Sequence, residues 1–240
     1  MRGCLTWFFL LLAVLLVGSW VFAPVVAAGL VSAGLGTAGF ESADKKVTVI
    51  ADPPIELLTL RADKVTIQAT NARFAGLLIA SVDLTLEGVG LAGRDAESVE
   101  GTLTGVQVPS PLGIPATISS VSLNGPSSDL RAILTLNLKD VQALASAAVE
   151  GQMGSTTATK VTLTAPDKVT VVASGITVRG RLVVDKTGGL VLVTTYPAGF
   201  SDPIDLMRPG PKQPLRFTSI ILRTTGATVT ATLDPSFFGG

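Results

Sequence analysis

The chain has 240 residues, 47% hydrophobic and only 15% charged, with 18 basic and 18 acidic side chains, one cysteine and no histidine. Zero net charge supplies no field to attract nucleic acid. The lack of histidine excludes Ser–His–Asp and Cys–His relays and the usual zinc sites, and the lone Cys4 excludes an intramolecular disulfide.

The first charged residue after Arg2 is Glu41. Leu5–Phe22 (LTWFFLLLAVLLVGSWVF), extended by Pro24–Val31, is long enough for a bilayer, which needs about 20 apolar residues. Trp7 and Trp20 fall near its two ends, where indoles favour the interface. Arg2 and the α-amino group lie on one side and Lys45 and Lys46 on the other, which predicts a cytoplasmic N-terminus and an extracytoplasmic remainder. Val26-Ala27-Ala28 and Val31-Ser32-Ala33 also fit small-residue cleavage sites of a secretory signal, and either reading exports the rest. Residues 1–28 are therefore read as a membrane anchor or signal. Residues 29–44, glycine-rich, are read as a tether or a weak juxtamembrane helix, and 45–240 as the folded domain.

From Lys45 apolar residues recur at every second position, as in half-buried antiparallel strands. Lys64–Thr70 places Val65, Ile67 and Ala69 on one face. In Leu77–Glu87 the face Leu78, Ala80, Val82, Leu84, Leu86 is wholly apolar. Pro53-Pro54 excludes a central strand and predicts a short helix or turn over 53–60. Further strands are expected near Glu97–Val108, Ala116–Leu123, Ala132–Leu138, Lys160–Thr164, Lys168–Ser174, Thr177–Asp185, Leu190–Thr195, Arg216–Thr224 and Ala227–Leu233, with a turn at Thr187-Gly188-Gly189. Leu190–Val193 and Ile220–Leu222 are apolar on both faces, which predicts cover on both sides. One segment is helical in period: Asp140–Gly151 sets Val141, Leu144, Ala145, Ala148 and Val149 on one face, between Asp140 as cap and Gly151 as stop. Asp63–Ile79 aligns with Asp167–Val183 at seven identical positions of 17, which suggests a duplicated β-unit dividing near residue 150.

Chemistry-bearing motifs are scarce. Gly210-Pro211-Lys212 lacks the spacing of a phosphate loop. Asp202 and Asp205 read as turn residues around Pro203 rather than as a paired acid site. Arg179 and Arg181 share a strand face; they either contact a lipid phosphate or belong to a solvated surface. Phe237 and Phe238 close the core or touch a bilayer. The expectation is a binding protein and not an enzyme, with no cofactor and no metal.

Several phrases in order, VTVIADPPIELLTL, ADKVTIQATNARFAGLLIASVDLTLEGVGL, LTLNLKDVQALASAAVEG and KVTVVASGITVRGRLVV, resemble the LmeA-like phospholipid-binding family of bacterial envelope proteins. The resemblance runs from about Lys45 to Leu192. It implies a tubular lipid-binding-like fold: α+β, mostly β, with strongly curved antiparallel sheet packed on one long amphipathic helix. It also implies a phospholipid or other membrane lipid as partner. The expected lining of such a groove is Leu78, Val82, Leu84, Leu86, Val141, Leu144 and Ala148, with Arg179 and Arg181 as headgroup contacts. The other reading is a structural envelope domain whose core is filled by these same side chains.

Overall fold

The computed structural model describes residues 25–37, 39–74, 76–92, 95–108, 110, 112–154, 157–197, 202–208 and 215–233. The expected membrane segment Leu5–Phe22 and the pair Phe237 and Phe238 lie outside them. Among the described residues no helix is long and apolar enough to cross a membrane. The first element is helix α1, residues 25–37, which runs across the expected boundary at residue 28.

The period-two segments form strands β1 (Lys46–Ile50), β2 (Arg61–Phe74), β3 (Leu77–Gly90), β4 (Asp95–Val108), β5 (Ala116–Gly125) and β6 (Arg131–Asn137). The prolines before β2 give a 3-10 turn, Pro54–Thr59. Helix α2 (Leu138–Met153) follows β6 without a loop. Then come β7 (Ala158–Thr164), β8 (Lys168–Ala173), β9 (Ile176–Val184), β10 (Leu190–Tyr196), β11 (Ile204–Met207), β12 (Leu215–Arg223) and β13 (Gly226–Leu233). The protein is α+β and mostly β. One antiparallel sheet has eight strands in the order β1-β2-β3-β4-β5-β6-β13-β12, and the other has five, β11-β10-β9-β8-β7.

The N-cap of helix α2 lies three residues before the expected one, at Asn137 and not Asp140: the Asn137 side chain accepts the Asp140 N–H at 2.9 Å. Its stop is Gly154, at φ +77°, and not Gly151. Val141, Leu144, Ala145, Ala148 and Val149 are buried as their spacing predicts. The two alanines let the helix axis approach β-sheet on both sides: α2 packs on β5, β6 and β13 of the large sheet and on β7, β8 and β11 of the small one. Gln142 donates to the Val161 carbonyl at 3.1 Å, and Glu150 accepts the Ala158 N–H at 2.7 Å, so both ends of the helix are tied to β7.

The sheets meet at β12. Its Leu222 N–H donates to Pro166 O and its Phe217 N–H to Gly188 O, so turns of the small sheet cover an edge that would otherwise expose free backbone groups. The turn after β9 is held by charge. The Asp185 carboxylate accepts from the Gly189 and Thr187 N–H groups and the Thr187 hydroxyl, at 2.8–2.9 Å. Arg208 bonds it at 2.7 Å and also grips Asp205 at 2.6 Å and the Thr187 hydroxyl. Partial desolvation pushes the Asp185 carboxyl up, but these donors together outweigh it and hold the group well below the usual carboxylate range. Asp205 thus lies in β11 rather than in the expected turn.

The large sheet has one apolar face, but its alternation is stepped. In β2 the buried residues are Ala62, then Val65, Ile67 and Ala69, then Ala72. In β3 they are Ile79, Val82 and Val89, in β4 Ala96 and Val99, then Val106 and Val108, and in β5 Ala116 and Ile118, then Val121 and Leu123. Strands β2, β3 and β4 each skip one residue at the same two rows, and β5 joins them at the second. By register these are Asp63–Gly88–Glu97 and Asn71–Ala80–Gly105–Ser119. Asn71, Gly88 and Gly105 carry the required left-handed φ of +48°, +58° and +59°. Because neighbouring strands insert their extra residue together, pairing stays in register.

This step corrects the expected face Leu78–Leu86. Leu78 is 42% exposed on the outer face and Ile79, 4% exposed, takes its place inside. Ile221 is likewise 48% exposed, so Ile220–Leu222 is not covered on both sides, whereas Leu190–Leu192 is. The internal echo does not mark one repeated unit either. The turn of the second segment, Ser174-Gly175, aligns with Thr70-Asn71 inside β2, and β12 and β13 return to the first sheet.

Two outcomes follow. Leu78→Asp changes the unfolding free energy by no more than about 0.5 kcal/mol, while Ile79→Asp costs more than about 3 kcal/mol, measured by urea denaturation. Asp185→Asn lowers the thermal midpoint by a few degrees at pH 6. The gap narrows as pH falls below about 4, where an unfolded-state Asp protonates and the low native pKa ceases to stabilise the fold.

Candidate functional site

Beyond the reach of α2, the apolar face of the large sheet continues over β1–β4. Register places its side chains in rows: Val49–Val65–Leu86–Val99, Val47–Ile67–Leu84–Gly101–Leu123 and Ala69–Val82–Leu103–Val121. Val65, Ile67, Ala69 and Val82 are buried, but Leu84, Leu86 and Leu103, in the middle strands, are only half-buried. Gly101 explains part of the geometry. A Cβ there would stand 2.6 Å from the Leu84 Cδ2, so the glycine lets the Leu84 side chain lie across β4.

The strip is bounded at either side. Lys45 shares the parity of Val47 and Val49 and donates from Nζ to the Ser32 carbonyl of α1 at 2.9 Å, which sets that turn of α1 at the β1 edge of the same face. Ala27, Ala28, Val31 and Leu35, at helical spacing, are the side of α1 that packs on the core. Toward the other side lie β5, β6 and α2. A shallow polar cleft lined by Glu41, Ser42, Lys45, Asn71 and Arg73 opens at the end of β2 beside α1.

The expected lining residues divide into three groups. Leu84 and Leu86 lie on the strip with Val82, which is buried. Leu78 is on the opposite face. Val141, Leu144 and Ala148 are no more than 3% exposed and fill the space between α2 and the two sheets. The structure therefore does not bring β3 and α2 together into one lining: the principal partners of α2 are strands of the far half of the sheet and of the small sheet. Leu103 and Gly101 were missed. Their signal was present, since a glycine within a strand pattern marks a close approach of side chains from the next strand.

Arg179 and Arg181 do share a face, the outer face of the small sheet, away from the strip. Arg181 is bonded to Asp167, Nε to Oδ2 at 2.7 Å. Among the described residues no group of three or more Asp, Glu, Cys or His side chains is placed to hold a metal ion. Comparison with protein-family models, with curated proteins and with solved structures returned no significant match.

The strip predicts a contrast in stability. Leu134→Ala, under α2, costs about 2–5 kcal/mol by cavity formation. Leu103→Ala, half-buried on β4, costs less than half as much in the same urea titration, because water already reaches part of its surface.

Proposed function

We propose that this chain is a membrane-tethered extracytoplasmic protein that binds a phospholipid or related lipid, with a role in envelope lipid homeostasis or transfer. Binding and not catalysis is its task. The observation that carries the reading is the group of half-buried leucines Leu84, Leu86 and Leu103, on three adjacent rows of an apolar sheet face and on strands whose principal contacts do not include α2. Strong curvature of the large sheet, at the two stepped rows, would close that strip into a groove. Acyl chains laid there gain about 0.8 kcal/mol for each CH₂ removed from water. The long apolar segment before residue 25 supplies the tether, and the family resemblance of the sequence points the same way.

The contrary feature is the tight packing of Val141, Leu144 and Ala148, which supports a second reading: a structural envelope domain with a filled core that binds other proteins.

The test is lipid extraction with quantitative mass spectrometry on the full chain purified in a mild detergent, compared with Leu84→Asp and with Leu78→Asp. The expected result is a defined lipid stoichiometry that falls at least fivefold in Leu84→Asp and is unchanged in Leu78→Asp. Equal lipid in all three, with Leu84→Asp folded by circular dichroism, would transfer the assignment to the structural reading.

A further inference from the structure

The outer faces of the two sheets differ in charge although the chain as a whole has none. On the large sheet the outer face carries a row of hydroxyls across six neighbouring strands, Thr70–Ser81–Thr104–Ser120–Thr135–Thr228. Ser81 and Thr104 are bonded at 2.6 Å. Carboxylates and cations are mixed around it: Asp83 and Glu100 against Arg131 and Arg216. At the β11 edge of the small sheet the row Val183–Val191–Asp205 brings one carboxylate, ion-paired to Arg208, to the outer face; the rest of that face carries cations only. Its rows run Lys160–Val172–Thr177, Thr162–Thr170–Arg179–Tyr196 and Thr164–Lys168–Arg181–Val193. All four cations are exposed, and no carboxylate occurs in these rows. Asp167, in the turn before β8, bonds Arg181; among the described residues no ion pair engages Lys160, Lys168 or Arg179. Tyr196, 56% exposed, is the chain's single tyrosine.

We infer that the outer face of the small sheet docks flat on an anionic membrane surface. The charge complementarity comes from Lys160, Lys168 and Arg179, assisted by the exposed part of Arg181. The uncharged remainder, threonines with Val172, Val193 and Tyr196, fits the headgroup layer, where tyrosine is favoured and hydroxyls find phosphate and ester oxygens. A soluble polyanion would satisfy the cations but leave Tyr196 and the valines without a partner. This gives Arg179 and Arg181 a task unlike contact with a lipid in the groove: they face the bilayer as a plane, while the apolar strip lies on the other sheet. The inference rests on the membrane setting of the proposed function, but not on occupancy of the strip. Each unpaired cation near an anionic surface multiplies the docked fraction by roughly fivefold, and salt screens the effect.

The test uses the full chain with Cys4→Ser and Thr170→Cys, labelled at residue 170 with a fluorophore. It is reconstituted into vesicles of phosphatidylcholine alone or with one third phosphatidylglycerol, both doped with a headgroup-region quencher. Docking predicts strong quenching only in the anionic vesicles, at least a tenfold loss of the docked fraction in Lys168→Glu/Arg179→Glu, and the same loss for the unaltered face in 0.5 M NaCl. Equal quenching in both vesicle types, or none in either, overturns the inference. So does protection of the label by heparin with no quenching in anionic vesicles, which would assign the face to a soluble polyanion. Bound lipid is extracted from the same samples: retention unchanged while docking is lost separates this face from the strip, and absence of bound lipid with docking intact rejects only the groove.

Discussion

The large sheet has a single apolar face, and that face must be covered; most of the architecture answers this one constraint. Eight strands place two to five apolar side chains each on the same side. Left in water, each valine, leucine or isoleucine among them forgoes about 1.5–3 kcal/mol. Helix α2 and the small sheet cover the half formed by β5, β6, β13 and β12. Its alanines permit the close approach, and the turns at Pro166 and Gly188 seal the edge at β12. Over β1–β4 the cover is thinner. Lys45 fastens α1 at the margin, and the leucines of β3 and β4 remain half in water. On the proposed reading, it is this thinly covered part of the face that a lipid chain completes.

The second constraint is register. A strand of 14 residues cannot shift its buried set by one residue without misaligning its neighbours. Here β2, β3, β4 and β5 shift together at Asn71, Ala80, Gly105 and Ser119, and the first three do so again at Asp63, Gly88 and Glu97. The left-handed residues Asn71, Gly88 and Gly105 are therefore parts of two coordinated steps rather than isolated turns. Substitution of Gly105 by a β-branched residue meets two objections at once, its φ and the Ala80 Cβ 2.8 Å from the site of the new atom.

Much of this was legible from residue order. Alternation located β2 through β10, β12 and β13 within a few residues, and helical spacing found α2. The failures have physical causes. Leu78 and Ala80 fit an uninterrupted period of two; only the step at Ala80, dictated by the strands on either side, turns Leu78 outward. Asn137 was hidden as the last residue of a strand pattern while serving as the cap of the helix. Strand β11 was lost because Asp202-Pro203 is a turn signal, yet Arg208 and Asp205 extend the chain along β10. Of the candidate site, alternation shows that Val82, Leu84 and Leu86 share the apolar face, whereas Val141, Leu144 and Ala148, legible as one helix face, are packed between α2 and the two sheets.

The central claim is that acyl chains lie on the β3–β4 strip, and its most direct test is photo-crosslinking. A phospholipid with a diazirine near the end of one acyl chain is incorporated during reconstitution of the full chain, and adducts are mapped by peptide mass spectrometry. The account predicts adducts within Leu84–Leu86 and around Leu103. Adducts confined to residues 1–24, with none on β3 or β4, would show that the lipid only surrounds the membrane segment and would contradict the claim.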